Sequence, residues 1–108
     1  MTDQSSETPS RITLVVLDGC PNADVAVARL HQALSNCGRE DLEVAVTVVE
    51  SEEEGRLAGL HGSPTFLVDG RDPFPVGEGT SWACRLYPTD RGLEGCPSVT
   101  QLEEVLAP

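Results

Sequence analysis

The sequence predicts one α/β domain. Three observations point there. Two apolar runs rich in β-branched residues, at 12–17 and 43–50, have the length and composition of buried strands. The segment between them switches to helical spacing, which makes a βαβ unit with parallel strands and a right-handed crossover. Two Ser-led capping boxes, at Ser51 and Ser98, open two further helices.

Taken in order, residues 1–10 are polar and aperiodic and are expected to form a disordered tail, leaving 11–108 as the domain. Ile12, Leu14, Val15, Val16 and Leu17 form a nearly continuous apolar strand, buried on both faces. Asp18-Gly19-Cys20-Pro21 interrupts it. Between Asn22 and Cys37, Ala23, Val27, Leu30, Leu34 and Cys37 line one helical face, and Gly38 supplies a C-cap. Val44, Val46, Val48 and Val49 mark a second buried strand. Ser51 then caps a short helix with Glu54 at its third position. The acidic run Glu52-Glu53-Glu54 suits the positive end of the helix dipole, and Gly55 and Gly59 weaken the helix before Leu60. Pro64 precedes a third strand that stops at Asp69-Gly70. Residues 70–96 hold five Gly and three Pro, a loop-rich stretch in which 83–87 alternates well enough for one more strand. Ser98 and Gln101 cap a last helix with Val99, Leu102, Val105 and Leu106 on its apolar face.

Composition narrows the function. The 108 residues point to a single small domain, and Leu, Ile, Val and Phe together number 27, enough for one modest core. Seven basic residues, all Arg, face eighteen acidic ones, for a net charge of −11. Such a surface repels phosphate backbones and anionic headgroups, which argues against nucleic-acid and membrane partners. The opening residues lack the basic start and apolar stretch of a signal peptide, and no apolar run reaches the roughly 18 residues of a membrane span, so a cytoplasmic location is expected. In that compartment the four cysteines read as free, reactive or redox-active thiols rather than a disulfide framework. They form no C-x₂-C pair, and His31 and His61 lack metal-ligand spacing, so no metal site is expected.

The element order β-α-β-α-β-β-α, with Cys20 at the first strand-to-helix turn and Pro64 opening the third strand, resembles the thioredoxin fold over residues 11–107. The signature points are Gly19-Cys20-Pro21-Asn22-Ala23 and Gly62-Ser63-Pro64-Thr65. The wording is similar to a group of small bacterial thioredoxin-like proteins with a "GCPN" start, a "GSPT…DG.DPF" middle and a "CRLY" strand, some of them labelled alkylmercury lyase. Here these are residues 19–22, 62–74 and 84–87. The resemblance implies a four-stranded mixed sheet flanked by about three helices. Its first and third strands are antiparallel neighbours, and its fourth runs antiparallel to the third. It also implies a cis bond before Pro64, close to Cys20, and a substrate groove formed by Pro21, Asn22, Ser63, Pro64 and Thr65. There the backbone before the proline pairs with an extended peptide or a mixed disulfide. No cofactor is implied. The sequence departs from the dithiol pattern C-x-x-C at its fourth position, which is Ala23, so Cys20 has no resolving thiol next door.

Cys20 is the candidate nucleophile. Unpaired N–H groups at a helix start favour the thiolate, which is the reactive form. Pro21 presets the helix start, while Asp18 and Asp24 oppose a further negative charge. Cys37 reads as a small core residue on the helix's apolar face. As a substitute resolving thiol, Cys96 is favoured by topology, because its loop returns to the Cys20 edge. Cys84 is favoured by the resemblance, which includes it, and the balance tips to Cys84. Phe74 and Trp82 either pin the long loop to the core or line a groove beside Cys20. The expected function is thiol–disulfide exchange by a single cysteine on a thiol or disulfide substrate, with a partner protein as one candidate. The alternative is a non-catalytic thioredoxin-fold module that binds a soft metal, a sulfur species or a protein through Cys20 and Cys84. A third reading, carbon–mercury cleavage, needs a second thiol beside Cys20 and an acid such as Asp18 or Asp24 between them.

Overall fold

The structure, a computed structural model, describes residues 10–74 and 81–106, and of 81–84 it describes the backbone only. Of the tail expected at 1–10, residues 1–9 lie outside the described residues, as does the placement of Trp82's side chain, while Ser10 is described and its N–H donates to Asp69 Oδ1 at 3.2 Å. The elements are β1 (Arg11–Leu17), α1 (Ala23–Asn36), β2 (Glu43–Val49), α2 (Glu52–Ala58), β3 (His61–Ser63), β4 (Thr65–Val68), β5 (Ser81–Cys84), β6 (Tyr87–Thr89), β7 (Gly92–Glu94) and α3 (Val99–Leu106). The fold is mixed α/β, with a three-stranded sheet in the order β2-β1-β4.

The βαβ unit is present. β1 and β2 run parallel from Arg11↔Glu43 to Leu17↔Val49, and β1 runs antiparallel to β4 from Ile12↔Val68 to Val15↔Thr65. Alternation along β1 feeds two cores. Ile12, Leu14 and Val16 join Ala26, Leu30 and Leu34 of α1, Phe66 of β4, and Leu102 and Leu106 of α3. Val15 points the other way, to Val49 and Leu60. Truncating a fully buried residue such as Leu30 to Ala removes about 2–5 kcal/mol.

Both Ser caps form, but only the box at Ser98 is complete, since Glu54 reaches back to the residue before the N-cap. Ser51 Oγ accepts from Glu54 N–H at 3.1 Å, while the Glu54 carboxylate accepts from Glu50 N–H at 2.8 Å. At α3 the exchange is reciprocal: Ser98 Oγ accepts from Gln101 N–H at 3.1 Å, and Gln101 Oε1 accepts from Ser98 N–H at 2.8 Å.

Three expectations are corrected. β2 is not buried on both faces: among the described residues it pairs only with β1, and Val46 and Val48 are each 51% exposed at the sheet edge. The expected strand at 83–87 is split. β5 ends at Cys84 and runs parallel to β3, while β6 begins at Tyr87 and forms a hairpin with β7. The break falls where the alternation turns inside out, with charged Arg85 buried and apolar Leu86 61% exposed. The sheet therefore has three strands where four were expected, and β3–β5 is a separate two-stranded ladder.

Candidate functional site

The site is built where β1 ends. Asp18 N–H donates to the Val49 carbonyl at 2.9 Å, so the ladder closes there. Cys20 N–H turns back to the Leu17 carbonyl at 3.0 Å. Gly19 makes that turn with φ +78°, a conformation that strongly favours glycine. α1 begins later than expected: Asn22 is its N-cap and Ala23 its first helical residue. Pro21 thus stands ahead of the N-cap rather than at the first helical position, and Cys20 lies in the turn. Its thiol is half-buried and packs against the main core.

The cis-proline loop is joined to this turn. Leu17 N–H donates to Ser63 Oγ at 3.0 Å, and the Ser63–Pro64 bond is cis. Ser63, Pro64 and Thr65 are all buried. Their backbone is engaged within the chain: the Ser63 carbonyl accepts from Arg85 N–H at 2.9 Å, and the Pro64 carbonyl accepts from the Tyr87 hydroxyl. Thr65 Oγ1 donates to the Gly62 carbonyl at 2.6 Å and accepts from His61 N–H at 2.9 Å. Pro21 and Asn22 are, respectively, exposed and half-buried on the other side of the turn. The Ser63 carbonyl is thus covered by the segment that follows β5.

A buried ion pair holds that cover in place. Arg85 Nη1 meets Asp72 Oδ2 at 2.6 Å and Nη2 meets Oδ1 at 3.3 Å, the fork geometry of a bidentate pair. The Arg85 guanidinium also lies 4.4 Å from the centre of the Tyr87 ring. Phe66, Phe74 and Tyr87 pack edge to face around it, so Phe74 pins the start of the long loop to the core. Burial pushes the Tyr87 phenol well above its ordinary range. The pairing of Asp72 with Arg85 was not read from the sequence. Both residues stand in the quoted motifs, Asp72 in the "DPF" stretch and Arg85 in "CRLY", and that is the signal that pointed to them.

The other cysteines divide by place. In the β3–β5 ladder Cys84 stands opposite Ser63, so its backbone reaches the proline corner; its side chain lies outside the described residues. Cys37 follows the far end of α1, half-buried, its Sγ 3.7 Å from the Glu103 carbonyl. Cys96 is 3% exposed. Arg29 of α1 donates from Nη1 to the Cys96 carbonyl at 3.2 Å and the Pro97 carbonyl at 3.1 Å, and pairs with Glu94 at 3.3 Å. Burial is the main cause that pushes the Cys96 thiol up to about 11; Arg29 opposes the shift, and the charges of Glu94 and Cys20 add to it.

Among the described residues no cluster of three or more His, Cys, Asp or Glu side chains could hold a metal. No helix in them is long and apolar enough to cross a membrane. A cavity of about 450 Å³ lies beside the Arg29 clamp, lined by Arg29, Arg91, Glu94, Ser98 and Gln101 among others, and Cys20 is not part of its lining. No family model matches the chain, and neither a curated protein nor a solved structure matches it significantly. Chemically, the site offers one half-buried thiol at a strand-to-helix turn, packed against the core cluster that encloses the Cys96 thiol.

Proposed function

We propose that this chain has a thioredoxin-like fold and exchanges thiols with disulfides through Cys20. The supporting observation is the coupling of the half-buried Cys20 turn to the cis-proline loop by the Leu17–Ser63 hydrogen bond. The parallel β1–β2 pair and the antiparallel β1–β4 pair agree with that fold. The nucleophile is the Cys20 thiolate, which attacks one sulfur of a disulfide and is left in a mixed disulfide as the other sulfur departs. Ala23 offers no resolving thiol, so the protein is a poor reductase toward large disulfides unless a small thiol or another cysteine completes the exchange. A cytoplasmic location fits this chemistry, because thiols there are kept reduced.

Labelling tests the proposal. A limiting alkylating reagent near neutral pH should modify Cys20 ahead of Cys37, and Cys20→Ser should abolish trapping of mixed disulfides with a small disulfide. Preferential labelling of Cys37, with Cys20 inert, overturns the reading.

A second reading keeps the scaffold and uses Cys20 with Cys84 as a soft-metal or sulfur-binding pair. The observation in its favour is the Cys84 position opposite Ser63. Stoichiometric copper(I) binding that is lost in both Cys20→Ser and Cys84→Ser, without disulfide exchange, would establish it.

A further inference from the structure

We infer that Cys96 is the internal resolving thiol of Cys20 and closes a Cys20–Cys96 disulfide after Cys20 has opened a substrate disulfide. This rests on the redox reading above. The segment carrying Cys96 lies directly on the Cys20 turn: Gly95 stands so close to Asn22 that a Cβ there would overlap the Asn22 carboxamide. Cys20 packs against the same core cluster in which Cys96 is buried. Arg29 ties the Cys96 and Pro97 carbonyls to α1, the helix that Cys20 precedes, so the two cysteines are held to one rigid element. By contrast, Cys37 follows the 14 residues of α1, roughly 20 Å away along its axis at 1.5 Å per residue. A bridge needs Cα atoms within about 7 Å, which rules Cys37 out.

The difference in exposure sets the order of events. Cys96 is enclosed and cannot meet a substrate first; Cys20 can. The Cys20 thiolate attacks a substrate disulfide R–S–S–R′, the S–S bond breaks, and R′S⁻ leaves. Cys96 sulfur then attacks Cys20 Sγ, the bond to R breaks, and the departing RS⁻ takes the proton that Cys96 gives up. One substrate disulfide is thereby reduced to two thiols, while Cys20 and Cys96 are oxidised to one disulfide. Two equivalents of a low-molecular-weight thiol reopen the bridge and are themselves oxidised to a disulfide. Burial above all keeps the Cys96 thiol protonated up to about 11, with Arg29 opposing that shift and Glu94 adding to it. Cys96 therefore gives up its proton in the second step itself, with its segment held to α1 by the Arg29 clamp.

The chain lends itself to a direct test, because cleavage after arginine puts each cysteine in its own peptide: Cys20 in 12–29, Cys37 in 30–39, Cys84 in 72–85 and Cys96 in 92–108. The reduced full-length protein, dilute, is treated with one equivalent of dithiodipyridine, quenched in acid, digested and mapped by mass. The expected product is the 12–29 peptide crosslinked to 92–108. Cys96→Ala should instead accumulate the pyridyl mixed disulfide on Cys20, and Gly95→Ala, which pushes the loop off Asn22, should lower the crosslink yield several-fold. A crosslink from 12–29 to 72–85, or a lasting Cys20 adduct in the wild type, overturns the assignment of Cys96 and leaves exchange at Cys20 standing. An unmodified Cys20 overturns the redox reading itself.

Discussion

Asp72 and Arg85 form a bidentate ion pair with both side chains only 6% exposed, and this pair closes the corner around the cis proline. Arg85 reaches that corner three ways, through its backbone N–H to Ser63, its guanidinium to Asp72 and its stacking on Tyr87. Gly62 is required by the same closeness, since a Cβ at its φ of +105° would meet Arg85 Cβ at 2.8 Å.

Removing one partner of the pair leaves the other charge buried and alone. Asp72→Ala is therefore expected to lower unfolding stability by about 3–5 kcal/mol. Replacing both residues by apolar ones of similar volume should cost much less than either single change. Urea denaturation of the two single variants and the double variant measures this, and a loss below 1 kcal/mol for Asp72→Ala would show that the pair is solvated in solution.

Cys20→Ser should leave stability within about 1 kcal/mol of the parent, because a half-buried sulfur removes little apolar area when it becomes oxygen. The same variant should lose all mixed-disulfide formation. A folded variant that still traps a small disulfide at one site would move the nucleophile elsewhere.

Cys96 gives the protein an alkaline weakness. Its thiol is raised to about 11 from an ordinary value of 9.0, so the folded state holds its proton more tightly than the unfolded chain does. The stabilisation is complete below pH 9 and is lost as pH rises through about 11. The whole loss amounts to roughly 2–3 kcal/mol at about 1.4 kcal/mol per unit. Arg29 opposes the shift and Glu94 and Cys20 reinforce it, so the window should narrow in Glu94→Gln. Tyr87 titrates in the same sense at higher pH, so the measurement is the difference between wild type and Cys96→Ala in thermal unfolding from pH 8 to 11.

Arg29 clamps two carbonyls on the Cys96 segment. Arg29→Met keeps the aliphatic stem and removes the donors, at an expected cost of about 1–3 kcal/mol. It should also slow formation of the Cys20–Cys96 bridge without slowing the first attack by Cys20. Stopped-flow release of pyridinethione separates the two phases, and equal slowing of both would assign Arg29 to the general fold.

Much of the architecture was legible because it is local. The β-branched runs of β1 and β2, and the Ser51 and Ser98 caps, carry their instructions within a few residues. What failed depends on distant neighbours. Val46 and Val48 look like core valines in sequence, yet they sit at an edge because nothing among the described residues pairs beyond β2. Arg85 looks like an outward residue of a strand, yet Asp72, thirteen residues earlier, draws it inward. At the site, the position of Cys20 at a strand-to-helix turn was readable from the break at Asp18-Gly19. Topology also suggested that the Cys96 loop returns to that edge, but the contacts that seat it, Gly95 against Asn22 and Arg29 reaching across from α1, have no signature in spacing.

Among the described residues nothing pairs with β2 beyond β1, and that edge bears on how the protein keeps in solution. A sheet-edge strand with two half-exposed valines invites another chain to add to it. Glu43 begins that strand, and Glu50 and the Glu52-Glu53-Glu54 run follow it, so at neutral pH an incoming copy meets a fence of carboxylates. The repulsion weakens as the whole chain, at −11 near neutral pH, loses its net charge toward the isoelectric point of about 4.3. Acidification in that range should turn the same edge into a seed for β-rich precipitate, with Val46 and Val48 as its adhesive face.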